Sequence, residues 1–470
     1  MVHTVLATTG EVVATLDRRY QSYNIEMVEV TGGEFWKPYD AGPGKVVRPP
    51  IDLGSERLRM LARALGPAYI RVSGTWANWT YFDAGDDTAG ACPDGFDGVL
   101  TREQWRGVAD FADAVDGEVV TSFAVSDGIR GPDGAWRDEQ ARALLAFSKD
   151  IAMPLAAAEF CNEPSLPMGF PASYDATAYR RDFETFAATA AAVMPELALV
   201  GPGMIGDDGV LGFQPVIAAE DMLEDTADKL DVFSYHFYPK LSERCGSTAG
   251  AEIALDPEFL ARVGVARDHH RGLRDRYLPA APTWVTETAQ AACGGDRWAA
   301  AFRDVIRHVD TLGRLATDDG AVVFHNTLAA SDYGLLDEIG FTPRPNYWAA
   351  LLWQRLMGTE VLALDPATAA AAAASGLTVY AHRTPGEEAH DVTYAVVNAS
   401  PSESHTVTTD GGDATVYLLT SDDLDSGTVA LNGTVVHLGA GDTTLPPLEG
   451  APAGGPITVA PASVAFVVGG

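Results

Sequence analysis

The stretch AAAEFCNEPSLP, residues 156–167, is an apolar run that ends in Asn162-Glu163-Pro164. Pro164 disfavours the helical region for the residue before it, so Glu163 does not fit an ordinary helix surface. An ionised Glu is almost never fully buried without a partner, so an ordinary core position is a poor fit too. Two interpretations stay open: Glu163 is a solvated turn residue, or it is a working acid at the end of a strand.

Seven other strand-like runs occur in the first 330 residues, and helical patterns separate the runs. Near-continuous apolar strands that alternate with helices indicate a parallel sheet covered on both sides. Eight such units over roughly 330 residues predict an α/β fold, a (β/α)8 TIM barrel. The predicted strands are YQSYNIEM (20–27), AYIRVS (68–73), EVVTSFAV (118–125), MPLAAAEF (153–160), LALVGPG (197–203), LDVFSYHFY (230–238), APTWVTE (281–287) and GAVVFHN (320–326).

The character of the sequence changes near residue 360. Short alternating runs with Gly, Asn and Asp turns follow, such as VTYAVVNAS (392–400), which is typical of an antiparallel β-sandwich. The N-terminal HTVLATTGEVVATL (3–16) has the same character and is predicted to pair with that sandwich. The predicted organisation is a set of N-terminal strands joining the sandwich (1–18), a catalytic barrel (19–358) and a C-terminal β-sandwich (359–470).

The charge is strongly acidic, with 65 Asp and Glu against 32 Lys and Arg and a net charge of −33. Such a surface repels nucleic acid, anionic lipid and sulfated polysaccharide at long range. No apolar stretch reaches the roughly 18 residues that a membrane helix needs, and no signal peptide is visible. Neither nucleic acid nor a membrane is expected as a partner, and the localisation, secreted or cytoplasmic, stays open.

The cysteine and histidine spacing predicts no metal and no other cofactor. The cysteines form no CxxC pair, and no His cluster has metal-ligand spacing. His269-His270, in ARDHHRGLRDRYL, is interpreted as part of a solvated helix face. Cys245 and Cys293 follow neighbouring predicted strands, and either a disulfide or two buried thiols would fit them.

Glu163 and Glu287 occupy equivalent places in the predicted barrel. Glu163 ends predicted strand 4, and Glu287, in TWVTETAQAACGG (283–295), ends predicted strand 7. Barrel enzymes hold their chemistry at the C-terminal ends of the strands. Since strands 4 and 7 lie across the barrel mouth from each other, the two carboxyl groups can face one substrate, as cleavage of a glycosidic bond requires.

Asn162-Glu163-Pro164 and WVTE (284–287) resemble the acid/base and nucleophile motifs of the superfamily of retaining barrel glycosidases. More of the chain resembles one branch, glycoside hydrolase family 79, which holds β-glucuronidases and heparanases. The likeness spans the whole barrel and includes the split β-sandwich. The matching stretches are SYNIEMVEVTGGEFW (22–36), YIRVSGTWAN (69–78), SYHFYP (234–239), TETAQAACGG (286–295) and SDYGLLDEIGFTPRPNYWAALLWQRLMG (331–358).

The resemblance implies a role for each matching residue. Glu163 would be the general acid/base, and Glu287 would be the nucleophile that forms a covalent glycosyl-enzyme. Asn162 would bond the sugar 2-hydroxyl, and Tyr238 would donate to the nucleophile, while His236 is open between a structural bond and a direct role. The remaining hydroxyls would be bonded by groups that end strands 1 and 2, namely Glu26, Ser73, Gly74 and Thr75.

In the family, a glucuronate carboxylate is held by backbone N–H groups of a Gly-Gly pair after the nucleophile and by a Tyr after strand 8. The matching residues in this chain are Gly294, Gly295 and Tyr333. Glycines suit this role because nothing blocks close approach of the backbone to a ligand. From the residues alone, an ordinary flexible turn would be the simpler interpretation of the Gly-Gly pair.

The combined prediction is a retaining exo-β-D-glucuronidase whose partner is a β-glucuronide, either a small glycoside or an oligosaccharide. An endo-β-glucuronidase of heparanase type would require basic clusters beside the cleft, and only scattered Arg such as Arg180-Arg181 occurs. A neutral β-glycoside would be favoured by loss of the Gly-Gly and Tyr set, which is present. A non-catalytic sugar-binding protein would have no need of both glutamates.

Overall fold

The computed structural model of the protein describes residues 3–42, 44–386 and 391–469. Eight parallel strands close into a barrel in chain order, and the eighth strand pairs with the first. The predicted (β/α)8 barrel is confirmed, and the ends of its strands differ from the predicted ends by a few residues. The barrel strands are Gln21–Glu26, Ala68–Ser73, Gly117–Thr121, Leu155–Glu159, Ala198–Met204, Val232–Phe237, Thr283–Thr288 and Val322–His325, called barrel strands 1 to 8 below.

A helix follows each barrel strand and covers the outside of the barrel. Local sequence fixes where these helices begin: Thr101 and Gln104 form a capping box, and Asp175 accepts a hydrogen bond from the N–H of Ala178. The helices are Glu56–Leu65, Arg102–Ala114, Glu139–Asp150, Ala176–Val193, Ala219–Leu223, Pro257–Tyr277, Arg303–Leu315 and Pro345–Leu356, with Met27–Thr31 and Pro366–Ser375 in addition. Among the described residues, no helix combines the length and apolarity needed to span a membrane.

An apolar layer fills the N-terminal half of the barrel interior. Its rings pack closely, with the centroids of Tyr69 and Trp284 4.7 Å apart. Because side chains alternate across a strand, the next inward positions form a second layer nearer the mouth, and these include Arg71 and Glu159. The apolar layer consists of Tyr69, Val120, Ala157, Val200, Val232, Trp284, Val322 and Phe324.

Two sheets pack beside the barrel, and the N-terminal segment joins both of them. In the strand Ser463–Gly469, Val464 and Phe466 belong to the barrel's core, whereas Ala465 and Val467 pack between the two sheets. The two sheets therefore form the predicted sandwich. One face of the larger sheet packs against the barrel, and its other face packs against the smaller sheet. We propose that the barrel domain is bounded by the sandwich segments at residues 18 and 358.

Among the described strands of the sandwich, one pair departs from the predicted antiparallel pattern, the parallel pair His3–Leu6 and His405–Thr409. These two strands and Ile457–Val459 form the smaller sheet. The larger sheet consists of Thr8–Thr15, Glu360–Leu364, Leu377–Arg383, Val392–Asn398, Ser463–Gly469, Ala414–Thr420, Ala430–Leu431, Thr434–Val435 and Ala451–Ala453.

Two short sheets and a disulfide shape the mouth of the barrel. The hairpin Gly33–Trp36 with Lys45–Arg48 follows barrel strand 1, and the pair Thr80–Asp83 with Gly98–Thr101 follows barrel strand 2. Cys245 and Cys293 form a disulfide that joins the loops after barrel strands 6 and 7. The sequence was compatible with a disulfide or with two buried thiols, and the structure contains the disulfide.

Candidate active site

A cavity of about 740 Å³ lies at the C-terminal end of the barrel. Six of the predicted site residues line it together, namely Glu26, Thr75, Glu163, Tyr238, Glu287 and Tyr333. They come from barrel strands 1, 2, 4, 6, 7 and 8 or from the loops that follow them. The fold therefore gathers residues that are up to 307 positions apart in the chain (333 − 26).

The two predicted catalytic carboxyl groups lie close together, with His236 between them. Single oxygens of Glu163 and Glu287 and a ring nitrogen of His236 all lie within 4.8 Å of one another. His236 Nδ1 is 3.0 Å from Glu163 Oε1, and an Nη2 of Arg71 is 3.3 Å from His236 Nε2. A guanidinium can only donate, so Nε2 accepts and Nδ1 carries the hydrogen that is donated to Glu163.

Glu287 points into the cavity because of an irregularity in barrel strand 7. Trp284 faces inwards, and strict alternation would turn Thr286 inwards as well. The pairing with barrel strand 6 shifts so that Val285 faces Tyr235 while Glu287 faces His236, which is the pattern of a β-bulge. Arg71 Nη1 then donates to Glu287 Oε1 at 2.9 Å, and Tyr238 donates to Oε2 at 2.9 Å.

Glu163 lies in a loop and not at the end of a strand, since barrel strand 4 ends at Glu159. Its backbone has a φ of 48°, a left-handed conformation that costs a non-glycine residue energy. The Asn78 side chain holds the turn by accepting from the N–H of Asn162 at 3.0 Å and donating to its carbonyl at 2.9 Å. The turn at Asn162, which directly precedes Glu163, therefore fixes the position of the Glu163 carboxyl group.

The pair is set up for opposite protonation states. Burial raises the pKa of Glu163, and the nearby charge of Glu287 adds to that effect although a hydrogen bond from His236 opposes it. Burial would also raise the pKa of Glu287, but His236, Arg71 and the hydrogen bond from Tyr238 outweigh it and lower that pKa. Glu287 is thus favoured as the carboxylate and Glu163 as the acid.

We expect a bell-shaped dependence of kcat/KM on pH from this pair. As pH falls through the lowered pKa of Glu287, the carboxylate is protonated and activity is lost. As pH rises through the raised pKa of Glu163, the acid loses its proton and activity is lost again. A profile measured on an aryl glycoside that stayed flat from about pH 4 to 8 would contradict this assignment.

Glu29 provides the control for the alkaline limb of that profile. It is buried next to the site outside the cavity lining, and burial raises its pKa to about 7. Glu29→Gln should keep the alkaline limb. Glu163→Gln should lose the alkaline limb when the leaving group is a nitrophenol, because a nitrophenol departs without protonation. If Glu29→Gln lost the limb and Glu163→Gln kept it, the limb would be assigned to Glu29.

Gly74 and Asn326 shape the inner wall beside Glu26. A Cβ at Gly74 would lie 1.5 Å from Glu26 Oε2, so only glycine fits there. Asn326, at the end of barrel strand 8, donates to Glu26 Oε1 at 3.2 Å and to the Tyr238 hydroxyl at 2.9 Å. Ser73 lies outside the cavity lining, where its hydroxyl is 2.6 Å from that of Ser122.

The Gly294-Gly295 pair has the left-handed backbone that favours glycine, with φ of 80° and 76°. Their carbonyl oxygens are occupied, since Ser331 Oγ donates to Gly294 at 3.0 Å and Arg244 donates to Gly295 at 2.6 Å. Within the described part of the chain, neither glycine N–H donates to any atom. A Cβ at Gly295 would lie 3.0 Å from that of Tyr333, so the pair borders this tyrosine.

Arg244 braces the glycine turn from behind. Its guanidinium lies 3.8 Å from the centre of the Tyr39 ring and donates to Asp332 at 2.5 Å. The next residue, Cys245, is bonded to Cys293, which directly precedes the glycines. A positive charge and a covalent bridge therefore fix the turn that follows barrel strand 7.

The outer wall of the cavity is apolar and carries a single cation among its described lining residues, Lys45. Its ammonium lies 4.8 Å from the centre of the Trp36 ring and 5.3 Å from that of Trp76. Half-buried apolar side chains continue the wall, and they are Trp36, Trp76, Trp79, Leu166, Leu211 and Phe213.

Sequence reasoning missed three residues of the polar layer: Arg71, Glu159 and Asn326. Arg71 donates to Glu159 at 2.8 Å and to the side-chain oxygen of Asn162 at 2.9 Å, so it links both sides of the barrel. A signal was present, because an Arg in the apolar strand AYIRVS and a Glu in LAAAE have no place in an ordinary core. The side-chain nitrogen Nδ2 of Asn162 makes no hydrogen bond in the described chain.

A parallel barrel with facing carboxyl groups at its mouth has the architecture of a barrel glycoside hydrolase. The family described as "Glycosyl hydrolase family 79, N-terminal domain" matches residues 50–313, which is more than half of the chain. The chain belongs to glycosyl hydrolase family 79 and is a glycoside hydrolase.

Relatives agree with this membership, and a solved structure shares the fold. The chain is 27% identical to heparanase-like protein 1 from Arabidopsis thaliana over 379 residues, covering 77% of this chain and 67% of the relative. It is 28% identical to baicalin-beta-D-glucuronidase from Scutellaria baicalensis over 224 residues, covering 46% and 40%. The fold matches that of 4-O-alpha-L-rhamnosyl-beta-D-glucuronidase from Fusarium oxysporum with a TM-score of 0.64 at 16% identity, covering 99% of both chains.

Proposed function

We propose that the protein is a retaining exo-β-D-glucuronidase, which removes terminal β-linked glucuronic acid. The observation that carries this proposal is the proximity of Glu163 and Glu287, whose nearest oxygens lie within 4.8 Å. Retaining glycosidases hold their carboxyl groups about 5–5.5 Å apart, and inverting ones leave about 6.5–9.5 Å for a water molecule. The short distance supports attack by Glu287 on the anomeric carbon while Glu163 protonates the leaving oxygen.

The glycine turn supports glucuronic acid as the sugar. The N–H groups of Gly294 and Gly295 have no acceptor in the described chain, and they border Tyr333. Two backbone N–H donors and a phenol suit a carboxylate. Their hydrogen bonds are local and need no positively charged side chain, so they can hold a carboxylate in a protein whose net charge is −33. Two proteins similar to this chain are named as β-D-glucuronidases.

The outer wall supports exo action on a small or weakly charged glucuronide. Lys45 is the one cation among the described lining residues, and the half-buried Trp36, Trp76 and Phe213 present apolar surface instead. A sulfated polysaccharide would need several basic side chains beside the cleft. One relative is named as heparanase-like. Internal cleavage of a sulfated polysaccharide is nevertheless the less favoured activity for this chain.

Release of nitrophenol from aryl β-D-glucuronide and aryl β-D-glucoside tests the proposal directly. We expect turnover of the glucuronide with strong preference over the glucoside. Preference for the glucoside would keep the hydrolytic mechanism and overturn the assignment of the glycine turn. Failure on both substrates, with internal cleavage of a glucuronic acid polymer, would overturn exo action.

Tyr333→Phe should weaken the preference for glucuronide selectively. Loss of one hydrogen bond to a charged group costs about 1.5–3 kcal/mol, so kcat/KM for the glucuronide should fall roughly 10- to 100-fold. The glucoside should be little affected. Tyr238→Phe is the matched control: its hydroxyl donates to Glu287 at 2.9 Å, so both substrates should lose activity equally. Equal losses in Tyr333→Phe would contradict its contact with the carboxylate.

A further inference from the structure

Asp207, in the loop after barrel strand 5, forms a cluster with His269 and His270 that is separate from the carboxyl pair. Asp207 Oδ2 lies 2.9 Å from His269 Nε2, and Oδ1 lies 3.1 Å from His270 Nε2. Both histidines belong to the helix Pro257–Tyr277. His270 is fully buried and His269 is half-buried, so the prediction of a solvated helix face was wrong. The loop covers this part of the helix, which the helical pattern alone does not reveal.

The hydrogen bonds of His270 show that its contact with Asp207 requires a cation. Its Nδ1 lies 2.7 Å from the carbonyl oxygen of Ala266, which can only accept, so Nδ1 carries a hydrogen. In a neutral ring, Nε2 then presents a lone pair, and this lone pair faces a carboxylate oxygen of Asp207 at 3.1 Å. Two acceptors at this distance need a cation between them, either a proton or a metal ion.

We propose that Asp207, His269 and His270 bind one divalent transition-metal ion of the zinc class. One ligand atom of each residue lies within 4.8 Å of the other two. Zinc prefers histidine nitrogens and carboxylate oxygens in tetrahedral sites, whereas calcium takes six or more oxygens. Metal-bound histidines commonly donate their other N–H to a backbone carbonyl, as His270 does to Ala266.

The surroundings of the cluster suit a metal site that is open on one side. The Asp207 side chain is 8% exposed and that of His270 is 0% exposed, whereas that of His269 is 36% exposed. The His269 side therefore admits water as a fourth ligand. The His270 ring also stacks on Tyr235, with centroids 3.8 Å apart, so its orientation is fixed before an ion arrives.

The consequence of this site concerns the outer wall of the cavity. The chain that follows Asp207 supplies Leu211 and Phe213 to the cavity lining. A Cβ at the preceding Gly206 would lie 2.3 Å from the Phe213 ring, so the loop is tightly folded. An ion bound by Asp207 and the two histidines would tie this loop to the helix Pro257–Tyr277, and would stabilise the wall without contacting Glu163 or Glu287.

Cobalt substitution tests the site with a readout that is independent of activity. Protein dialysed against a chelator is titrated with Co²⁺, whose visible absorption is strong when four ligands surround it. We expect one Co²⁺ per chain, displacement by Zn²⁺ and a Tm that rises with added Zn²⁺. His269→Ala should abolish all three effects, and this half-exposed residue can be replaced with little disturbance of the fold, which circular dichroism checks.

Two controls make the test specific. His437, which is exposed in the C-terminal region, serves as a matched histidine, so His437→Ala should keep the absorption band. Glu163, His236 and Glu287 form a second group that could hold an ion, and Glu287→Gln should also keep the band. The proposal is overturned if no band forms at excess Co²⁺, if the band survives His269→Ala, or if it disappears in Glu287→Gln.

Discussion

Glu287→Gln is expected to reduce the hydrolysis of an aryl β-D-glucuronide by at least about 10⁴-fold, while the protein remains folded. An amide cannot attack the anomeric carbon, so the covalent route is closed. The change keeps the shape of the side chain, and the contacts with Arg71 and Tyr238 can be retained in part. Initial rates of nitrophenol release, with thermal unfolding measured in parallel, give the comparison.

Glu26→Gln is the matched control, because it is the same substitution in the same cavity. Burial and the nearby Glu287 raise the pKa of Glu26 well above its ordinary value, which favours the neutral carboxyl form that an amide resembles. The loss should stay within about tenfold, which corresponds to about 1.4 kcal/mol. Equal losses in both variants would show that Glu287 has no special role.

Azide distinguishes the roles of the two catalytic carboxyl groups. In Glu287→Gly, azide can enter the space left by the nucleophile and should give a glycosyl azide of inverted configuration. In Glu163→Gly, the covalent intermediate still forms from an activated substrate, and azide should give the retained configuration. Exchange of these two products would exchange the two assignments.

The barrel could be predicted because its signals are local and repeated. Each barrel strand is a short apolar run bounded by helical patterns, and burial on both faces explains why strands such as Ala68–Ser73 do not alternate in hydrophobicity. The two glutamates could be placed at the mouth because the fold itself brings C-terminal strand ends together. Both inferences depend on sequence position alone and require no side-chain geometry.

The orientation of individual site residues could not be predicted in the same way. Glu287 faces the cavity only because a β-bulge interrupts the alternation after Val285, and a bulge leaves no reliable sequence signal. Glu163 depends on a left-handed backbone that the distant Asn78 side chain holds in place. The link between Asp207 and His270 likewise joins residues 63 positions apart. Each of these features arises from tertiary contacts.

Arg71→Met is expected to be the most destabilising single change in the site. The Arg71 side chain is 1% exposed, and it pairs with Glu159 at 2.7 Å and with Glu287 at 2.9 Å. Removal of one partner from a buried ionic group leaves uncompensated charge and costs about 3–5 kcal/mol of unfolding free energy. Because Arg71 helps to lower the pKa of Glu287, the acid limb of the pH profile should also move to higher pH.

Chemical denaturation of three comparison variants separates charge from packing. Arg142→Met breaks an exposed pair with Asp138 and should cost less than about 1 kcal/mol. Arg71→Met combined with Glu159→Gln removes one of the two unpaired charges, so it should recover part of the lost stability. Arg71→Lys keeps the charge but lacks the planar guanidinium that reaches Glu159, Asn162 and Glu287 together. Its loss of stability should lie between the losses expected for Arg142→Met and Arg71→Met. If Arg71→Met proved as stable as Arg142→Met and the acid limb did not move, the buried guanidinium would not be what holds Glu287 ionised.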